Sequence, residues 1–193
     1  MASYDDRAAL IVVDVQNDFA DPAGGLYVRG GETVVPVVNA ETDGALAGGA
    51  FVAYTQDWHP PITPHFAKDG GTWPVHCVAG TWGAEFHPEL RVRGSVIRKG
   101  SGDEDGYSGF SVRDPRTGEV SPTQLAATLP DEVERLVVTG LATDYCVMET
   151  VLDGRRLGYA VEVIRSAIRP VDLRPGDGER AIERMLLAGA TVR

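Results

Sequence analysis

The sequence predicts an α/β fold: a doubly wound, mainly parallel six-stranded sheet with helices on both faces. Three observations carry this. Short apolar, β-branched runs such as Leu10–Val13, Phe51–Thr55 and Leu136–Val138 recur along the chain. They are unbroken rather than alternating, as in strands buried on both faces of a parallel sheet. Stretches with helical periodicity separate them, the pattern of βαβ units.

Taken in order, Leu10–Val13 is the first strand, ending at Asp14. Residues 32–46 carry Val34, Val35, Val37, Val38 and Leu46 at helical spacing, with Pro36 tolerated near the start. Phe51–Thr55 is the second strand. Residues 56–94 form a long irregular stretch rich in Pro, Gly, Trp and His, and loops of that length in compact domains usually serve function. Ser95–Arg98 is the third strand, ending at Lys99. A short helix is expected over Pro122–Leu129, a fourth strand over Leu136–Thr139 and a helix over Tyr145–Leu157. Ala160–Ile164, Gly178–Ala188 and Ala190–Arg193 complete the series as strand, helix and terminal strand. There is no repeat, low-complexity tract or linker, so residues 1–193 read as a single domain with a full core.

Composition narrows the function classes. With 43% hydrophobic and 24% charged residues the chain is an ordinary globular one. A net charge of −10 argues against nucleic-acid binding and against attraction to anionic membranes. No apolar run reaches the ~20 residues of a membrane span. The polar start Met1–Arg7 predicts no secretory signal. Two cysteines, Cys77 and Cys146, make no disulfide framework, so a reducing cytoplasm is the expected compartment.

Ligands of open parallel sheets bind beyond the carboxyl ends of the strands. Asp14, Asp57, Lys99 and Cys146 all fall at or just past such ends. A lone cysteine is usually a packing residue. Cys146, however, follows Gly140-Leu141-Ala142-Thr143-Asp144-Tyr145 at the mouth of a helix, where the helix dipole and free N–H groups favour a thiolate. A tight turn there can also aim N–H groups at one spot, as an oxyanion hole requires. Asp14 is either a loop cap or a buried general base beside the thiol. The two converge if the first and fourth strands are sheet neighbours. Lys99 would tune that pair. All four histidines (His59, His65, His76 and His87) lie in the irregular stretch. Asp57-x-His59 on an extended segment puts both side chains on one side, and aspartate with histidine suits Zn²⁺, Fe²⁺ or Mn²⁺. His87, in Phe86-His87-Pro88, reads as structural. Phe19, Trp58, Trp73, Trp82 and Tyr107 are rim aromatics able to stack on a flat substrate.

Seven segments together resemble the nicotinamidase/pyrazinamidase branch of the isochorismatase-like cysteine hydrolases. They are residues 12–19 (VVDVQNDF), 55–59 (TQDWH), 73–78 (WPVHCV), 80–86 (GTWGAEF), 98–100 (RKG), 107–110 (YSGF) and 140–147 (GLATDYCV). The resemblance spans nearly the whole chain. The aspartate and cysteine motifs mark the wider superfamily; Asp57-Trp58-His59 and Trp73-Pro74-Val75-His76-Cys77 mark the branch. It implies the isochorismatase-like fold, with Asp14, Lys99 and Cys146 as catalytic triad and the backbone N–H groups of Ala142 and Cys146 as oxyanion hole. A cis Leu141–Ala142 peptide would belong to that hole. It further implies one divalent metal ion held by Asp57, His59 and His76, with His65 matching a fourth ligand that only some members have. Phe19 and Trp73, with Tyr107, would hold the ring. The implied substrate is a small-molecule carboxamide, nicotinamide, with pyrazinamide beside it, and the implied setting is pyridine-nucleotide salvage. The metal's identity and the oligomeric state, a homo-oligomer included, stay open.

The chain departs from the family pattern at Asp103–Gly106, before Tyr107, and at Ser166–Val171, after the fifth strand and away from the triad on the sequence reading. The competing readings are a carbamoylsarcosine- or ureidoacrylate-type amidase, which shares the triad without the histidines, and a non-catalytic binding member. Isochorismatase activity goes with branches lacking the cysteine.

Overall fold

The computed structural model describes residues 3–193; Met1 and Ala2, the first two positions of the polar start, lie outside the described residues. Six strands form one sheet: β1 (Ala8–Val13), β2 (Phe51–Asp57), β3 (Ser95–Lys99), β6 (Arg135–Leu141), β7 (Ala160–Arg169) and β8 (Thr191–Val192), in the order β3-β2-β1-β6-β7-β8. Every neighbouring pair is parallel. The predicted sheet is therefore present and wholly parallel.

β1 is the central strand, and all six of its residues are buried. Ala9, Ile11 and Val13 face one core with Val147, with Val151 of α4 (Met148–Arg156) and with Ile182 and Met185 of α5 (Asp177–Leu187). Ala8, Leu10 and Val12 face the other, with Val35, Val38 and Ala45 of α2 (Val35–Ala47) and with Phe19 of α1 (Asn17–Ala20). The unbroken apolar run thus reflects burial on two faces. Pro36 sits in the first turn of α2, where no intrahelical donor is lost.

Three sequence expectations are corrected. Pro122–Leu129 is not one helix: Val120–Pro122 is β5, paired antiparallel with β4 (Ser111–Arg113), and α3 covers Leu125–Thr128 alone. The Thr123 hydroxyl accepts the Leu125 N–H and so separates the two elements. The helix expected over Tyr145–Leu157 is preceded by a wide turn, Thr143–Val147, in which the Val147 N–H reaches back five residues to the Ala142 carbonyl. β7 runs on to Arg169 past a register shift opposite Val138–Gly140. Its extension brings Val171 and Asp172 back to the sheet rim, where both N–H groups donate to the Asp144 carboxylate. The departure at Ser166–Val171 therefore lies beside the site, not away from it.

The parallel β1–β6 pair puts Val13 opposite Gly140. Gly140 has φ 109°, and a Cβ there would lie 2.0 Å from the Val13 carbonyl oxygen. Glycine is what lets the two strand ends meet closely enough to bring Asp14 and Cys146 together.

Candidate active site

Asp14 is fully buried and has φ 47°, a left-handed value uncommon outside glycine. β1 turns sharply at this residue and sends its carboxylate inward. Thr55 of β2 donates its hydroxyl to Asp14 Oδ1 at 2.7 Å, and the Lys99 Nζ lies 2.8 Å from Oδ2. Lys99, at the end of β3, also reaches Asp57 Oδ1 at 2.5 Å, the Gly106 carbonyl, and Cys146 Sγ at 3.7 Å. One acceptor atom each from Asp14, Asp57 and Cys146 lies within 4.8 Å of the others. A single buried ammonium thus sits among two carboxylates and a thiol.

The electrostatics follow from that packing. Burial pushes the Asp14 carboxyl up to about 6, against the pull of Lys99 and Thr55. Burial also opposes ionisation of Asp57, but the Lys99 ammonium outweighs it and holds this carboxyl well below the usual range. Burial works against the charge on Lys99, yet Asp14 and Asp57 hold its pKa well above the ordinary lysine value. Burial raises the Cys146 thiol well above its usual value despite the attraction of Lys99. Desolvation therefore works against the thiolate that the helix mouth favours, and the thiol lies beside a carboxyl pushed up to about 6.

Tyr145 and Val147 both donate to the Ala142 carbonyl at 3.1 Å, so the Cys146 N–H between them is not committed to it. The Leu141–Ala142 peptide is cis, as the resemblance implies.

The second half of the site is a histidine cluster. His59, His65 and His76 are buried, and one ring nitrogen of each lies within 4.8 Å of the others. His59 Nδ1 contacts the Gly100 carbonyl at 2.9 Å, His65 Nδ1 the Asp105 carboxylate at 2.6 Å and His76 Nδ1 the Pro74 carbonyl at 2.7 Å. Those oxygens only accept, so each Nδ1 donates to its oxygen and Nε2 is the nitrogen left to face another partner. His59 Nε2 is buried without a hydrogen-bond partner, and burial lowers the pKa of His76 to about 4, keeping it neutral. Three convergent imidazoles, one of them with a buried nitrogen that has no hydrogen-bond partner, are a donor set a divalent transition metal fits. The resemblance implied Asp57, His59 and His76, with His65 optional. The structure gathers all three histidines, and Asp57 bridges the two halves: Oδ1 is on Lys99 and Oδ2 lies 3.7 Å from His59 Nε2.

Both halves open into one pocket, lined among others by Phe19, His65, Trp73, Tyr107, Tyr145 and Cys146. The Trp73 indole donates to the Tyr107 hydroxyl at 2.8 Å, and Trp73 meets Tyr145 edge-on at 4.8 Å. Of the other rim aromatics, Trp58 stacks under Arg98 at 3.8 Å and Trp82 is half exposed. His87 is buried, its Nδ1 accepting the Glu89 N–H, in keeping with a structural role.

Sequence reasoning did not single out Thr55, Gln16, Asp105, Tyr145 or Val171. Gln16 is fully buried and clamps Asp57, accepting its N–H and donating to its carbonyl, each at 2.8 Å. Its place two residues after Asp14, just past the end of the buried first strand, was the available signal.

The Isochorismatase domain family matches residues 8–193. The chain belongs to the isochorismatase family. Within that family it is 39% identical to a nicotinamidase of Escherichia coli (strain K12) over 95% of this chain and 93% of the relative. The pyrazinamidase of Pyrococcus horikoshii, solved in complex with zinc, superposes with a TM-score of 0.85 at 39% identity, over 97% of this chain and 98% of that one. PnC1 from L. infantum, solved in complex with nicotinate, gives 0.87 at 32%, over 97% and 92%. This isochorismatase-family member is therefore nicotinamidase-like in sequence and in fold.

Proposed function

We propose that this protein is a metal-assisted cysteine amidohydrolase that converts nicotinamide to nicotinate and ammonia, and that it also takes pyrazinamide. The observation that carries this reading is that Cys146 and two of the three clustered histidines, His65 and His76, line the same aromatic pocket. A superfamily amidase without a ring to hold has no use for the second half. The zinc and nicotinate complexes of the two solved relatives agree with it.

Asp14, with its pKa near neutrality, removes the proton from Cys146 Sγ as the sulfur attacks the carboxamide carbon. The developing oxyanion is received by the N–H groups of Ala142 and Cys146. Asp14 returns the proton to the departing nitrogen, and ammonia leaves. The thioester is then hydrolysed by water: Asp14 takes the water's proton, the carbonyl–sulfur bond breaks, and Sγ is reprotonated. Lys99 stays charged throughout, since Asp14 and Asp57 both hold it so. His59, His65 and His76, with Asp57 alongside, would hold the divalent ion. When bound, the ion supplies an electrophilic anchor for the ring nitrogen. Phe19 and Trp73 flank the ring, and Tyr107 fixes Trp73.

Purified metal-loaded protein should release ammonia and nicotinate in equal amounts from nicotinamide. No ammonia from either nicotinamide or pyrazinamide would overturn the proposal.

A further inference from the structure

The segment 100–106 ties the two halves of the site together. At its start the Gly100 carbonyl accepts from His59 Nδ1. Gly100 has φ 64°, and a Cβ there would lie 2.5 Å from the His59 ring, so the close approach needs glycine. At its end the Gly106 carbonyl accepts from Lys99. Between them, Asp105 Oδ1 accepts from His65 Nδ1 at 2.6 Å.

Asp105 is not a loose surface carboxylate. Its backbone N–H and carbonyl pair with Arg113 of β4 at 2.7 and 3.0 Å, fixing it beside the β4–β5 hairpin. Its side chain is 21% exposed and turns to His65, while Arg116 nearby pairs with Asp103 instead. The other two histidines of the cluster are oriented by backbone carbonyls, which any residue supplies. Only His65 is oriented by a side chain. That side chain lies in Asp103–Gly106, the segment just before the pocket residue Tyr107.

We propose that Asp105 is a positioning residue for the metal site. By accepting the Nδ1 proton it holds His65 in the tautomer and ring orientation that present Nε2 to the cluster, and it makes the imidazole a stronger donor. This rests on the metal-site reading above.

The test is titration of the metal-free protein with Co²⁺ and with Zn²⁺ in competition with a chelator. The proteins are the wild type, Asp105→Ala, Asp105→Asn, His65→Ala and the Asp105→Ala/His65→Ala double variant. Loss of the acceptor should weaken binding about 10–100-fold and alter the visible Co²⁺ spectrum. Asp105→Asn retains an acceptor oxygen and should recover part of both. In the His65→Ala background the Asp105 change should add nothing, because it acts through that ring. Unchanged affinity and spectrum in Asp105→Ala would overturn the proposal, as would an equal loss when His65 is already absent. A folded wild type that binds neither ion would instead overturn the metal site itself, and this inference with it.

Discussion

Lys99 and His59 lie on opposite sides of one carboxylate, Asp57, and the two sides are built in different ways. On the Lys99 side the functional groups sit at strand termini: Asp14 after β1, Lys99 at the end of β3 and Cys146 past β6. Parallel pairing places them, and a glycine with no Cβ closes the last gap. On the His59 side the groups sit on loops, and each ring is held by a hydrogen bond to an oxygen from elsewhere in the chain or nearby. The strand-borne half is a buried ion cluster in which the charges depend on one another. The loop-borne half is a set of convergent imidazoles, each tied to an oxygen acceptor. The first half is suited to moving a proton and forming a bond, the second to holding a ligand still.

If the halves are separable, damage to one should spare the other. The largest effect is expected from Cys146→Ala, which should lower kcat by on the order of 10⁴-fold or more while leaving metal content intact; metal analysis alongside ammonia release checks both. Retained turnover would remove Cys146 as nucleophile. Next is Lys99→Met. It leaves two buried carboxylates without their cation, and loss of one partner from a buried ion cluster costs about 3–5 kcal/mol. Denaturant unfolding should show a loss of that order together with loss of activity. An undiminished midpoint would mean that the cluster is not ionised as described.

Smaller effects probe single contacts. Asp14 must be ionised to act as base. Because its folded pKa is raised to about 6, kcat/KM should fall as pH drops through about 6. Thr55 donates to the ionised form, so Thr55→Val should shift this acid limb upward in a pH–rate profile. A limb that stays in place would exclude Asp14 as the titrating base. Tyr107→Phe removes the hydroxyl that accepts from Trp73. A single neutral hydrogen bond is worth about 1 kcal/mol, so KM for nicotinamide should rise about fivefold with kcat little changed.

The same contrast explains what could be read from the sequence. Apolar runs ending in Asp14, Lys99 and the turn before Cys146 announce a parallel sheet and its functional rim, because strand burial and strand ends leave a local signature. The histidines were visible as residue types, but only the resemblance grouped His59 with His76, and it left His65 optional. Whether His65 joins His59 and His76 depends on Asp105, forty positions away in sequence. The helix mouth at Cys146 suggests a thiolate for a related reason. Helix position is local, whereas desolvation by the whole core is not, and the core decides the thiol's pKa. Val171 likewise came to the pocket only because β7 runs five residues beyond the apolar stretch that marked it.

The central claim is that the histidine half holds the substrate on which the cysteine half acts. The measurement that tests it most directly is ammonia release from nicotinamide by one preparation in three states: metal-loaded, stripped by a chelator, and reloaded. The account predicts turnover, loss of turnover and recovery, in that order. Undiminished release from the stripped protein would contradict it.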